Sequence, residues 1–241
     1  MEVIVSREHE FVFIKTRKTA SSSMEIALSK HLGPEDTITP CMPIDEEALR
    51  TGLGFRGPQN FELPLRQWRP KDYVDAAMGR RPKLFSAHAS AQKVSTYLAP
   101  DDFRRYRKIL TVRNPYSYVV SLYNWHARRS GPNPAGFKSW LIAGQGDLRF
   151  TNYGMGKVDG RFAMDLVLQF ETLVDGAERL ARELDLPSDF PAVFQSIRAK
   201  SSLAHPRLTG SEAYGLFPQA RELVESRFHE EITNFGYVFP Y

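Results

Sequence analysis

The sequence contains one cysteine, Cys41, among its 241 residues. A single cysteine excludes a disulfide within the chain and any metal site built from several cysteines. A disulfide scaffold and a cysteine-rich zinc module are therefore ruled out as classes. The same count is compatible with the reducing cytosol, and we expect no bound metal.

Long hydrophobic runs are also missing. No apolar stretch approaches the about 18 residues that a membrane-spanning helix needs. The first residues, MEVIVSREHEF, mix charged with apolar side chains and lack the pattern of a signal peptide. We therefore expect a cytoplasmic protein without a transmembrane segment. Hydrophobic residues still make up 42% of the chain, enough for one α/β core, so we expect a single domain over residues 1–241.

The excess of positive charge is small, with a formal net charge of +4. Nucleic-acid-binding surfaces usually have a continuous basic face with interleaved aromatic side chains. The basic residues here occur in short patches such as Arg80-Arg81 and Arg104-Arg105, which are typical of a solvated surface. We therefore expect no nucleic-acid partner and favour a small polyanionic ligand.

The stretch FVFIKTRKTASSSMEIAL, residues 11–28, has the pattern of a strand, a basic loop and a helix. Residues 11–14 favour a buried parallel strand, and Met24, Ala27 and Leu28 recur at helical spacing. Cations, hydroxyls and the unpaired amides of a helix start all favour an anion. The loop cations are Lys15, Arg17 and Lys18, and the hydroxyls are those of Thr16, Thr19, Ser21, Ser22 and Ser23.

This loop contains no glycine. The loop of nucleotide hydrolases needs two glycines and a late lysine, followed by a Ser or Thr that holds Mg²⁺. Here Lys18 comes early in the loop. The pattern therefore predicts a phosphate ligand other than Mg²⁺-ATP.

A second strand-to-helix junction follows in KILTVRNPYSYVVSLYNW, residues 108–125. Asn114 and Pro115 have the residue types of a helix N-cap and first turn. Ser117, Ser121 and Arg128 then share one stripe of the helix beside Arg113, and the packing face consists of Tyr116, Val119, Val120 and Tyr123. This arrangement predicts a site for a second phosphate.

Taken singly, each junction also fits a simpler interpretation. Arg17 and Lys18 alone describe a solvated basic turn, and Arg113 alone describes a salt bridge near a helix end. Their occurrence in this order, each after a strand and before a helix, favours the phosphate interpretation.

Together the two junctions resemble the signature elements of the PAPS-dependent sulfotransferases, where PAPS is 3′-phosphoadenosine 5′-phosphosulfate. The resemblance covers roughly residues 10 to 240 and is closest to the carbohydrate-type members. It implies an α/β, P-loop-like three-layer fold with a central parallel sheet flanked by helices. It also implies PAPS as co-substrate and adenosine 3′,5′-bisphosphate as product.

The resemblance assigns roles residue by residue. Lys18 matches the lysine that contacts the bridging oxygen and the leaving phosphate. Residues 20–23, which are Ala20, Ser21, Ser22 and Ser23, match the positions that cradle the 5′-phosphate, flanked by Arg17 and Thr19. Arg113 and Ser121 match the ligands of the 3′-phosphate.

Two departures from the family pattern remain. The common Gly-Gly of the first loop is Ala20-Ser21 here, which matters if either residue needs a positive φ. The Asp-Arg that often follows Asn-Pro-Tyr is Ser117-Tyr118. Neither change removes a phosphate ligand.

His88 is our candidate for the general base. It follows an expected strand over residues 83–87, and its ordinary pKa of about 6.5 suits proton removal from an alcohol. Its position between the two phosphate elements resembles that of the histidine proposed as the base in the uronosyl 2-O-sulfotransferases. The alternative is a structural histidine that caps the next helix, at residues 91–98. His126 and Glu171 are the next candidates for the base.

Residues 33–73 are rich in proline and glycine, apart from a short helix expected over residues 45–51. Long loops in compact domains are often functional, so Arg50, Arg56 and Asn60 are candidates for acceptor contacts. Residues 200–215 occupy the place where the family closes a basic segment over the nucleotide. Later elements are expected at residues 165–170, 173–184 and 220–229.

The sequence thus predicts transfer of a sulfuryl group from PAPS to an acceptor hydroxyl. The histidine slightly favours a carbohydrate as the acceptor. Phenols, lipid-linked sugars and small metabolites are alternative acceptors. A kinase or ATPase of related fold is one alternative, which would require Mg²⁺ ligands. A non-catalytic nucleotide- or glycan-binding module is the other.

Overall fold

A five-stranded mixed sheet forms the centre of the computed structural model, which describes residues 3–41, 44–84, 89–130, 136–144, 148, 151–197 and 208–241. Its strands are β1 (Val3–Ser6), β2 (Phe11–Ile14), β3 (Thr37–Ile38), β4 (Arg107–Val112) and β7 (Leu166–Gln169). They lie in the order β3-β1-β2-β4-β7. A separate two-stranded ribbon pairs β5 (Lys157–Val158) with β6 (Arg161–Phe162).

The sheet is parallel on one side only. β2 pairs with β4, and β4 with β7, in parallel. β1 is antiparallel to both β2 and β3, so the prediction of a wholly parallel sheet is wrong at this edge. The reason is the short link between β1 and β2, residues 7–10, because a parallel pair needs a crossover of a dozen or more residues.

Helices account for most of the remaining described chain. The first six are α1 (Ser21–Ser29), α2 (Ile44–Gly52), α3 (Pro70–Ala77), α4 (Ala91–Ser95), α5 (Pro100–Arg105) and α6 (Pro115–Arg129). The others are α7 (Phe137–Ala143), α8 (Asn152–Met155), α9 (Leu173–Glu183), α10 (Phe190–Ser196), α11 (Gly210–Leu216), α12 (Ala220–Arg227) and α13 (His229–Phe235). No helix in the described ranges is long and apolar enough to cross a membrane.

Alternation along the strands buries both faces of the sheet. Phe11 and Phe13 point to one face, where they pack with α1, α9 and α10. Val12 and Ile14 point to the other face, where they pack with residues of α4 and α8. A third core joins α6, α7, α11 and α12. The predicted arrangement of helices on both sides of a sheet is confirmed.

Most predicted elements are present, with two exceptions. The predicted helix over residues 220–229 is two helices, α12 and α13, which meet at Phe228. Of the predicted strand over residues 83–87, Lys83 forms only an isolated bridge to Glu62, and residues 85–87 lie outside the described part.

Candidate functional site

Three loops meet where the parallel strands end. The loop after β2 begins at Lys15, β4 is followed by Arg113, and β7 is followed by Phe170 and Glu171. Since neighbouring parallel strands end at the same edge, this is the edge where α/β sheets bind ligands. The loops are in contact, because Arg113 Nη1 donates to the carbonyl oxygen of Lys18 at 3.0 Å. The structure therefore brings the two predicted phosphate elements together.

The loop after β2 has an unusual backbone. Lys18 and Ala20 have φ values of 57° and 56°, in the left-handed region that favours glycine. Such a conformation costs about 1–2 kcal/mol for a residue with a side chain. A left-handed residue followed by right-handed residues turns successive amides toward one side, which forms an anion-binding concavity. Ala20 precedes the first helical residue, Ser21, and so fits this geometry.

Three threonine hydroxyls hold this loop against β4. The Oγ1 atoms of Thr16, Thr19 and Thr111 lie 2.8 Å from one another in each pair. Ser21 Oγ donates to the carbonyl oxygen of Thr16 at 2.5 Å. All four residues are buried. Because these hydroxyls are used inside the protein, the predicted anion contacts of Thr19 and Ser21 would come from their backbone amides.

Lys15 does not belong to the predicted anion-binding surface. Its Nζ lies 3.0 Å from Glu25 Oε2 and 3.2 Å from Glu46 Oε2, in the interior. Arg50 completes this buried cluster, because its Nη2 lies 3.0 Å from Glu25 Oε1. The prediction that Lys15 binds an anion and that Arg50 contacts an acceptor is therefore wrong.

The other two acceptor candidates bind the chain itself. Arg56 Nε donates to the carbonyl oxygen of Leu32 at 2.6 Å, and Asn60 Nδ2 to that of Pro34 at 2.8 Å. Both side chains hold the turn that precedes β3. The structure gives them a structural role and no place at the site.

Five residues of the predicted anion-binding segment lie at this edge of the sheet or in the first turn of α1. Arg17 and Lys18 are half-buried and Ala20 is exposed, while Ser22 and Ser23 are buried at the start of α1. Asn152 Nδ2 donates to the carbonyl oxygen of Arg17 at 3.5 Å, which ties the loop to α8. Arg17 and Lys18 thus belong to the same loop whose backbone forms the concavity.

The guanidinium of Arg113 is held on three sides. Its Nε donates to Ser117 Oγ at 3.0 Å, its Nη1 to Lys18, and its plane lies 4.1 Å from the centre of the Phe170 ring. Burial lowers its pKa from the ordinary value, yet an arginine stays charged at neutral pH. No partner for Nη2 occurs within the described ranges, so one edge of the group can receive an anion. Ser121 lies one turn after Ser117 on the same half-buried stripe of α6.

The start of α6 follows the prediction. Asn114 Oδ1 accepts a hydrogen bond from the Tyr116 amide at 3.1 Å, and Pro115 occupies the first turn. The Asn114 side chain also donates to the carbonyl oxygen of Val238 at 2.9 Å. The last residues of the chain therefore lie against the start of this helix.

Glu171 is a more central residue than the sequence indicated. Its Oε1 accepts the Asn114 amide at 2.9 Å, and its Oε2 lies 3.5 Å from the Tyr237 hydroxyl. Burial, followed by the charge of Glu171, raises the pKa of Tyr237, so this phenol stays protonated. Tyr237 and Tyr241 both lie close enough to Arg113 for the pKa of each tyrosine to respond to the guanidinium charge. No pattern in the sequence predicted that these two tyrosines lie near Arg113, because their position depends on the path of the last residues of the chain.

Glu231 was also missed by sequence reasoning. It is buried on α13 and accepts hydrogen bonds from the amides of Asn152 and Tyr153. Burial raises its pKa to about 8. A glutamate on a short helix near the chain end has no pattern that distinguishes it from surface glutamates.

The structure describes only one of the two histidines predicted as candidates for the general base. His88 lies outside the described residues, and so do residues 200–207 of the basic segment predicted over residues 200–215. His126 bonds to Ser130 near the end of α6, eleven residues after Pro115 and so about 16 Å along the helix from the site. The structure therefore separates His126 from the place where the phosphate elements meet.

Comparisons of the chain with protein-family models, with curated proteins and with solved structures found no significant match. Within the described ranges, no group of three or more His, Cys, Asp or Glu side chains is placed to hold a metal ion.

Proposed function

We propose that the chain is a sulfotransferase that moves a sulfuryl group from PAPS to an acceptor hydroxyl, with a carbohydrate as the favoured acceptor class. The observation that carries the proposal is the contact between Arg113 Nη1 and the Lys18 carbonyl oxygen, at 3.0 Å. It joins the two predicted phosphate-binding elements at one edge of the sheet. A ligand with phosphates at two positions fits such a pair better than a ligand with one phosphate group.

Each of the two predicted phosphate elements supplies part of the positive charge for the ligand. The first offers Arg17, Lys18 and the amides at the start of α1, which suit the 5′-phosphosulfate. The second offers the open edge of Arg113 and the hydroxyl of Ser121, which suit the 3′-phosphate. Arginine binds phosphate through paired N–H groups, and the ring of Phe170 fixes the plane of this guanidinium.

Transfer then proceeds in line at sulfur. The acceptor oxygen forms a bond to sulfur, the bond from sulfur to the 5′-phosphate oxygen breaks, and the acceptor proton passes to a base. Lys18 and the loop amides neutralise the charge that grows on the departing phosphate. His88 stays our predicted base. Glu171, an exposed carboxylate at the end of β7, is the alternative.

Nucleotide binding gives the first test. A ligand that binds only the folded state stabilises it by about 2.7 kcal/mol at 100 times its dissociation constant. Adenosine 3′,5′-bisphosphate should therefore raise the melting temperature clearly more than AMP or Mg²⁺-ATP does. Arg113→Ala should remove most of that difference, whereas the matched variant Arg182→Ala, on the exposed side of α9, should keep it.

Equal shifts from AMP and adenosine 3′,5′-bisphosphate would contradict the 3′-phosphate site. A larger shift from Mg²⁺-ATP, with ATP consumption, would favour a phosphoryl-transfer enzyme instead. If the bisphosphate binds but no acceptor class receives labelled sulfate from PAPS, the chain is a binding module and the catalytic part of the proposal fails.

A further inference from the structure

Residues 61–84 form an exposed arm at the edge of the molecule. Its two ends pair with each other, because the Leu63 amide donates to Pro82 and the Leu84 amide to Phe61, both at 2.9 Å. The chain between them forms a 3₁₀ turn, Leu65–Gln67, and then α3. Asp72 is the one buried residue among these 24, and it caps α3 by accepting the Arg69 amide at 2.7 Å. Leu84 packs against the core at the base of the arm, and the rest of the arm is held by its own contacts.

Several of the exposed side chains on this arm are large and apolar. Leu65 is 65% exposed, Val74 60%, Met78 58% and Tyr73 55%. Val74 and Met78 are four residues apart, so they lie on one face of α3, with Tyr73 beside them. Scattered apolar residues are ordinary on a surface, but four large ones on one projection of 24 residues favour an interaction surface.

The arm also holds most of the chain's excess positive charge. It contains six Lys or Arg residues and three Asp or Glu residues, which give it a net charge of +3, against +4 for the whole chain. Of the acidic residues, Asp72 is used as a cap and Glu62 pairs with Arg81 at 3.0 Å. The arm therefore presents a positive surface around its apolar side chains, which favours an anionic partner.

We propose that this arm docks onto an anionic lipid surface. Two arms facing each other would repel, which disfavours a second copy of the chain. A polyanion bound through its charges alone would give Leu65, Val74 and Met78 no role. A lipid interface receives apolar and aromatic side chains at the depth of the headgroups and attracts the surrounding Lys and Arg. This inference is independent of the proposed sulfotransferase activity.

Vesicle sedimentation tests the proposal with the full chain. The wild type should sediment with vesicles of phosphatidylcholine plus phosphatidylserine and not with phosphatidylcholine alone, and added salt should release it. Each basic residue near such a surface contributes about 1 kcal/mol. The triple variant Arg66→Gln, Lys71→Gln, Arg80→Gln should therefore lower the partition coefficient on the order of a hundredfold.

The apolar part has its own matched control. The double variant Val74→Ser, Met78→Ser should lower the partition coefficient roughly tenfold or more. The control, Ile142→Ser with Leu216→Ser, changes two side chains that are 60% and 78% exposed elsewhere, and it should bind as the wild type does. All variants alter exposed side chains, so their melting temperatures should match the wild type.

Three results would overturn the proposal. The first is a wild type that does not bind the phosphatidylserine vesicles. The second is equal binding by the arm variants and the control. The third is a wild-type dimer, seen by light scattering, that Val74→Ser with Met78→Ser separates, because the arm would then lie between copies of the chain.

Discussion

Lys18 and Ala20 adopt a backbone conformation that their residue types disfavour. Strain of this kind persists only where the surrounding structure determines it, and it is common at ligand sites. Here the surrounding structure is the buried set of Thr16, Thr19 and Thr111, which fixes both ends of the loop. Ala20 has a φ of 56° and stands where the family that this loop resembles commonly has a glycine, so this departure falls on a strained position.

The role of Lys18 can be separated from that of Arg113. If Lys18 stabilises charge only in the transition state, Lys18→Ala should lower kcat beyond its effect on binding. Arg113→Ala should mainly weaken nucleotide binding, by roughly 1.5–3 kcal/mol for a charge-assisted bond. Steady-state kinetics with labelled PAPS measure both. A Lys18→Ala enzyme that changes only the KM for PAPS would show that lysine has no part in leaving-group departure.

At the scale of elements, α1 and α2 are joined by buried charges. Lys15 and Arg50 together neutralise Glu25 and Glu46 in the interior behind the loop. Cys41 lies in the same cluster, where burial raises the pKa of its thiol. The cluster fixes the start of the loop relative to α2, so the loop geometry depends on α2 being docked.

Removing Arg50 should therefore destabilise the protein. Breaking a buried ion pair leaves an uncompensated charge and costs about 3–5 kcal/mol. Arg50→Ala should show this loss in urea denaturation, while Arg56→Ala, at an exposed residue, should lose far less. If Arg50→Ala kept wild-type stability and instead raised the KM for an acceptor, Arg50 would contact the acceptor, as the sequence predicted.

At the scale of the whole molecule, Glu231 connects the chain end to the loop. It binds the first amides of α8, and the Asn152 side chain of that helix reaches Arg17. Burial raises the pKa of Glu231 from 4.5 to about 8. The folded protein thus keeps a proton that the unfolded chain releases between these pH values, so stability falls as pH rises across this window.

This linkage predicts a pH-dependent difference between two variants. Glu231→Gln carries no titrating group, so its stability should decline less between pH 5 and 8 than that of the wild type. The difference should reach at most about 1.4 kcal/mol per pH unit. Glu230→Gln alters the exposed neighbouring residue and should follow the wild type. Denaturation curves at a series of pH values measure this, and parallel pH profiles for wild type and Glu231→Gln would contradict it.

Local patterns in the sequence were sufficient to predict most helices and strands and part of the candidate site. Residues 11–28 form the predicted strand, loop and helix, because alternation and helical spacing depend only on neighbours in the chain. Asn114 and Pro115 begin α6 for the same reason. The carboxyl ends of β2 and β4 then bring the loop and Arg113 together, as a parallel pair requires.

Tertiary packing decided what each cation and hydroxyl does. Lys15 and Lys18 belong to one basic loop, yet only Lys18 lies at the ligand-binding edge of the sheet. Lys15 is buried, because it forms ion pairs with Glu25 and Glu46 in the interior. Thr16 meets Thr111, 95 positions away, and Tyr237 meets Glu171, 66 positions away. Such contacts follow from how the sheet, the helices and the chain end pack together, and no local pattern encodes them. Sequence alone determined the two strand-to-helix junctions and their cations and hydroxyls, and the packed structure determined which of these side chains are used inside the protein.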